Sequence, residues 1–184
     1  MDGRTSKVLI LGTAESGKST ICRHIRRIHG DQFTSEEIRF FKHHIRASSL
    51  ELFASVLQDF IDLSTNEPLN TQLQEYLQEY KTTTNYAYTR NFIEKAVFIW
   101  RVYSIQKYIV EIINTPGNIS RLVLPKKVHS DNPANHFLPS FSRIMRKGYN
   151  PILEDILSVR IPTTGIMIQN FNCVIEVEDI MKRI

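Results

Sequence analysis

Apolar residues recur through the middle of this chain at intervals of three and four, and that rhythm changes at both ends. Near the start, Val8-Leu9-Ile10-Leu11 form an unbroken apolar run, which predicts a short strand from Lys7 to Leu11. Ile21, Ile25 and Ile28 follow at helical spacing up to Gly30, so strand, glycine-bounded loop and helix come in that order. Thr34 with Glu37 three residues on makes a capping box, the signature of a new helix start. From there Ile38, Phe41, Ile45, Leu52, Val56, Phe60 and Leu63 mark one buried stripe of about seven or eight turns.

A helix that long with one apolar stripe needs partners, and the same rhythm supplies them. Leu69, Leu73, Leu77 and Tyr80 predict a second helix, and Phe98, Val102, Ile105, Ile109 and Ile112 a third. The stretch from Asn114 to Asn135 holds Pro116, Gly117, Pro125 and Pro133 and reads as an irregular connection. Phe137, Leu138, Phe141 and Ile144 return to helix, and Asn150-Pro151 suits the cap and first position of another. From Gly165 to Val177 β-branched residues increase, which predicts one or two further strands. The pattern is therefore an α/β nucleotide-binding domain, incomplete in its sheet, with an all-helical domain inserted into it.

Composition narrows the class without choosing a function. With 184 residues, 42% of them hydrophobic, the chain can bury one sizeable core or two small ones. Its 23 basic and 19 acidic residues leave a charge of +4, too mild and dispersed to require a nucleic-acid partner. Cys22 and Cys173 stand far apart with no metal-ligand spacing, and the histidines, His43-His44 included, show none either. A reducing, cytoplasmic setting fits. The most apolar segment, Ala96 to Ile113, is interrupted by Arg101, Lys107 and Glu111 and does not read as a membrane span. Asp2 stands where myristoylation would need glycine, so no lipidation signal is read.

The chemistry lies in the loop behind the first strand. Gly12-Thr-Ala-Glu-Ser-Gly17-Lys18-Ser19 satisfies the phosphate-loop pattern in full. Its glycines let the backbone approach phosphates, and the amides of Ser16, Gly17, Lys18, Ser19 and Thr20 can bind their charge together with the helix terminus. Lys18 would reach the β and γ oxygens, and the Ser19 hydroxyl can ligate Mg2+. The pattern alone does not choose between adenine and guanine nucleotides.

More of the chain does choose. KVLILGTAESGKSTICRHIRRIHGDQFTSEE closely resembles the opening of heterotrimeric G-protein α subunits, and NHFLPSFSRIMRKGYNPILEDILSVRIPTTGI resembles their last helical-domain helices and first switch. Trp100 with Ile105-Gln106 keeps the spacing of the family's W-x-x-x-x-I-Q element, and an apparent insertion falls between Tyr108 and Asn135. The resemblance implies a P-loop, Ras-like domain in residues 1–33 and 158–184 around a helical domain in residues 34–157. It implies a GTPase that binds GTP or GDP with Mg2+ and transduces signals from G-protein-coupled receptors at the inner face of the plasma membrane. Its partners would be a βγ dimer, a receptor and effectors.

By the same resemblance, Arg160 is the catalytic arginine supplied in cis, and Thr163 completes the Mg2+ shell with Ser19. Glu15 would pair with Arg160 across the nucleotide, and Leu157 would lie along it. The sequence also departs from the family. Ala14 replaces a glycine beside the γ-phosphate, Ser158 replaces a basic residue, and Pro162 stiffens the first switch. The motifs D-x-x-G-Q, N-K-x-D and T-C-A-T do not occur, nor do the βγ-binding amino-terminal helix and the receptor-binding tail. Weak hydrolysis and no visible source of guanine selectivity are therefore expected. The competing reading is a truncated, catalytically inert helical interaction module with a relic phosphate loop, and a third is an unrelated P-loop ATPase or kinase.

Overall fold

The computed structural model describes residues 8–13, 16–29, 32–83, 88–115 and 133–161. Among them the regular structure is entirely helical: α1 (Lys18–His29), α2 (Ser35–Leu63), α3 (Glu67–Thr82), α4 (Arg90–Trp100), α5 (Tyr103–Asn114), α6 (Pro133–Ile144) and α7 (Leu153–Ser158). The chain divides into two units, Met1–Thr34 with Pro162–Ile184, and Ser35–Ile161.

In the first unit, α1 follows the glycine-bounded loop as the pattern requires, and Arg26, Arg27 and His29 in its last turn complement the helix dipole. The strand expected from Lys7 to Leu11 is not found among the described residues of that run. Val8, Leu9 and Leu11 are 84%, 76% and 79% exposed and make no ladder. A strand exists only by pairing, and no partner strand occurs among the described residues. The strands expected between Gly165 and Val177 lie outside the described residues.

In the second unit α2 is the axis, packed by α3, α5, α6 and α7. It begins directly behind Thr34, with Glu36 and Glu37 in its first turn where the dipole favours them. The predicted stripe is half the story. Phe41, Ile45, Leu52 and Val56 are buried, but so are Leu50, Phe53, Ala54 and Leu57, because helices cover the second half of α2 on more than one side. Phe53 meets Phe141 of α6 at 4.6 Å between ring centres, and Tyr76 of α3 stacks on Phe92 of α4 at 4.7 Å. Phe53, Phe92, Phe137 and Phe141 are all fully enclosed, each stabilising the unit by about 1.5–3 kcal/mol.

Three boundaries differ from the sequence pattern. The third predicted helix is two helices, α4 and α5, broken at Arg101-Val102. There the amides of Arg101 and Val102 bond back to Phe98 and Ile99, which tightens the last turn and ends the helix. The break leaves Phe98 72% exposed while Ile105, Ile109 and Ile112 turn inward. Next, the described part of α6 runs from Pro133, inside the stretch read as a connection. Finally, α7 starts at Leu153 rather than at Pro151, since the Ile152 amide is tied to the Asp155 carboxylate at 3.0 Å.

Candidate functional site

The loop at residues 12–20 is built by its two glycines and one lysine. Gly17 has φ +85°, a left-handed conformation that lets the chain turn into α1 at its amino terminus. The Gly17 carbonyl then accepts from Ile21 N at 2.9 Å, the first helical bond. Gly12 is held by proximity instead: a Cβ there would stand 2.5 Å from Ser16 Oγ. Only glycine leaves the Ser16 side chain where it is.

Lys18 folds back across this loop. Its Nζ donates to the Gly12 carbonyl at 2.8 Å, to the Thr13 carbonyl and to Ser16 Oγ at 3.2 Å. The ammonium therefore spans both sides of the loop's mouth, beside the amides of the first turn of α1, which no earlier helical carbonyl can take. A positive charge, a helix amino terminus and a backbone without side-chain obstruction at Gly12 converge here, the combination that suits a phosphate. Ser19 and Thr20 follow, half-buried, on the first turn. Glu15 and Ala14 lie outside the described residues.

The other candidate residues belong to the second unit. Leu157 is half-buried on α7, and Arg160 is exposed just past its cap, Val159, which is buried. Thr163 and Pro162 lie outside the described residues, so the expected Mg2+ pair of Ser19 with Thr163 and the pairing of Glu15 with Arg160 have no described geometry.

What fixes the chain ahead of Arg160 is a set of residues the sequence reading passed over. Asp155 is fully buried, yet its carboxylate accepts from His136 Nε2 at 2.7 Å, from both terminal nitrogens of Arg143 at 2.9 and 2.7 Å, from Tyr149 OH at 2.8 Å and from the Ile152 amide. Burial alone would push this carboxyl up; the bonds from Arg143, His136, Tyr149 and Ile152 instead hold it well below the usual carboxylate range. Burial and the same carboxylate push the Tyr149 hydroxyl upward, so it stays a donor. The cluster clamps α7 to α6. Its one local signal in the sequence is an aspartate three residues into a helix start, where a capping carboxylate belongs.

Comparison with known proteins now bears on this arrangement. Residues 1–183 match the family model described as the G-protein alpha subunit. The chain belongs to the G-protein α-subunit family. Among relatives of this family, it is 35% identical over 176 residues to the guanine nucleotide-binding protein alpha-8 subunit of Caenorhabditis elegans, covering 90% of this chain and 46% of that protein. It is 32% identical to the alpha-8 subunit of Caenorhabditis briggsae with the same coverage, and 29% identical to the guanine nucleotide-binding protein alpha-2 subunit of Schizosaccharomyces pombe over 90% of this chain and 43% of that one. The chain thus spans about half the length of the curated α subunits it matches.

Within this family, a guanine nucleotide is the ligand that the relatives' names specify. Among the described residues no group of His, Cys, Asp and Glu could hold a metal by itself. No described helix is long and apolar enough to cross a membrane.

Proposed function

We propose that this chain binds GTP or GDP with Mg2+ as part of a guanine nucleotide-binding α subunit that transduces signals from G-protein-coupled receptors. The observation that carries the proposal is the loop of residues 12–20, in which Lys18 Nζ bridges Gly12, Thr13 and Ser16 at the amino terminus of α1. In this reading residues 1–33 and 158–184 are Ras-like and residues 34–157 form the helical domain. Lys18 takes the β and γ oxygens, and amides from Ser16 to Thr20 take the rest of the phosphate charge.

The residues present fit Mg2+. A single hydroxyl at Ser19, joined by Thr163, is the sparse oxygen set this ion accepts when phosphates supply the remaining ligands. Gly12 stands so close to Ser16 that a methyl group there would meet the Ser16 hydroxyl at 2.5 Å. Mg2+, when bound, would neutralise phosphate charge. Arg160 would stabilise charge developing on the transferred group, with Glu15 orienting it and Leu157 lying along the nucleotide. Association with a βγ dimer, a receptor and effectors at the cytoplasmic face of the plasma membrane follows from the same reading.

Calorimetric titration of the chain with GDP and GTP, with and without Mg2+, tests the proposal. Mg2+-dependent binding of GDP or GTP that falls about 10- to 100-fold in Lys18→Ala is the expected result. Absence of any Mg2+-dependent guanine nucleotide affinity overturns it, and ATP competing equally favours the unrelated P-loop ATPase or kinase instead.

One observation favours a second reading for the helical part. Its core, centred on Phe53, Phe92, Phe137 and Phe141, closes within Ser35–Ile161. A catalytically inert interaction module with a relic phosphate loop would show protease-resistant helix from about Thr34 to Leu157 that no nucleotide alters.

A further inference from the structure

The apolar stripe of α2 is accompanied by a second, basic one. Arg39, Lys42, His43 and Arg46 stand at i, i+3, i+4 and i+7, which brings them to one face of the helix. With Tyr88 and Ile93 they line a cavity of about 250 Å3, and no carboxylate among the described residues lines it.

Arg46 is held without a counter-ion among the described residues. Arg46 donates from Nε to the Ile144 carbonyl at 3.2 Å and from Nη2 to the Arg146 carbonyl at 2.6 Å, so it is fixed by backbone dipoles rather than by a counter-ion. Lys42 is half-buried, with its ammonium 6.0 Å from the centre of the Tyr149 ring; burial, and then Arg46, push its pKa down. Among the described residues neither Arg39 nor Lys42 is ion-paired. Asp155, the buried carboxylate of this unit, is occupied by Arg143, His136 and Tyr149. Like charges three and four residues apart oppose helix formation, and an anion would remove that opposition.

We propose that this cavity binds a small anion carrying two or more phosphate groups, with Arg39 and Lys42 as its principal contacts and Arg46 as a fixed charge beside them. A guanidinium fork matches phosphate oxygens in pairs, and the lysine adds a compact point charge. The cavity is smaller than the usual range of about 300–1,000 Å3 for drug-sized ligands, which favours a compact anion. The site lies in the unit Ser35–Ile161, whereas the phosphate loop lies in the other, so this inference does not rest on the nucleotide reading.

The test titrates the full chain with inositol trisphosphate by calorimetry. In a parallel arm the chain is floated with phosphatidylcholine vesicles with and without phosphatidylinositol bisphosphate. Binding in either arm that weakens about tenfold or more in Arg39→Gln and Lys42→Gln, and persists in Lys18→Ala, is the expected result. Soluble binding alone identifies a free phosphate compound; vesicle binding displaced by inositol trisphosphate identifies a headgroup. Arg39 is exposed, so Arg39→Gln keeps its helix content by circular dichroism and serves as the folding-safe variant. Binding absent from both arms, unchanged in Arg39→Gln, or lost in Lys18→Ala overturns the proposal.

Discussion

Both terminal nitrogens of Arg143 close on the carboxylate of Asp155, at 2.9 and 2.7 Å, although that carboxylate has no exposure to solvent. Water is replaced there by Arg143, His136, Tyr149 and the Ile152 amide, so removing the carboxylate leaves the buried Tyr149 hydroxyl and the partly exposed Arg143 and His136 without their acceptor. Asp155→Ala is expected to destabilise the helical unit by about 1–3 kcal/mol, read from chemical denaturation.

Acid should act through the same group. The folded state holds the Asp155 pKa below its ordinary value of 3.8, so its contribution is complete above that value and is lost as pH falls through the depressed one. The native chain should therefore lose stability below about pH 4, and Asp155→Asn, already lacking the charge, should show a shallower acid limb. Unfolding midpoints compared between neutral pH and pH 2.5 or so decide it.

Tyr76 presents the opposite case. Its ring stacks on Phe92, but its hydroxyl is buried with no hydrogen-bond partner among the described residues. Tyr76→Phe keeps the stack and removes a dehydrated oxygen, so it should be neutral or stabilising by about 1 kcal/mol. A thermal melt of the variant that fell by several degrees would contradict this.

The two loop glycines should fail differently. Gly17→Ala meets nothing within 4 Å among the described residues but must hold φ +85°, a backbone cost of about 1–2 kcal/mol. Gly12→Ala carries no such strain; its methyl displaces the Ser16 hydroxyl, and with it one acceptor of Lys18. Nucleotide titration should show the Gly12 variant impaired in affinity at nearly native stability, while the Gly17 variant loses both.

Much of the helical unit was legible because burial writes a period into the sequence. Phe41, Ile45, Leu52 and Val56 marked α2, and Phe137, Leu138, Phe141 and Ile144 marked α6, all of them buried. The break at Arg101-Val102 was not legible, since Phe98, Val102 and Ile105 keep the helical rhythm straight through it. Likewise, an apolar run such as Val8–Leu11 states a preference for strand, but pairing decides whether the strand exists. The phosphate loop was readable because its chemistry is local: Gly12, Gly17 and Lys18 meet within one turn of chain. The Asp155 clamp was not, because its donors come from positions 136, 143, 149 and 152, with no common period.

Arg160 is exposed and one residue beyond the cap of α7, so its removal should leave the fold alone. Arg160→Ala is expected to change stability by less than about 0.5 kcal/mol. Single-turnover measurement should find nucleotide affinity retained and whatever GTP hydrolysis the native chain supports lost. A comparable loss of affinity would instead make Arg160 a binding residue.

Asp155 also determines how Arg160 can move. Five positions upstream of that arginine the chain is bolted to α6 through a buried carboxylate, and Val159 is sealed into the core immediately before it. Arg160 is thus carried on a stiff mount with only a short free arm. Repositioning of its guanidinium relative to α6 therefore falls mainly to its own rotamers, because the stem that bears it is tied to that helix.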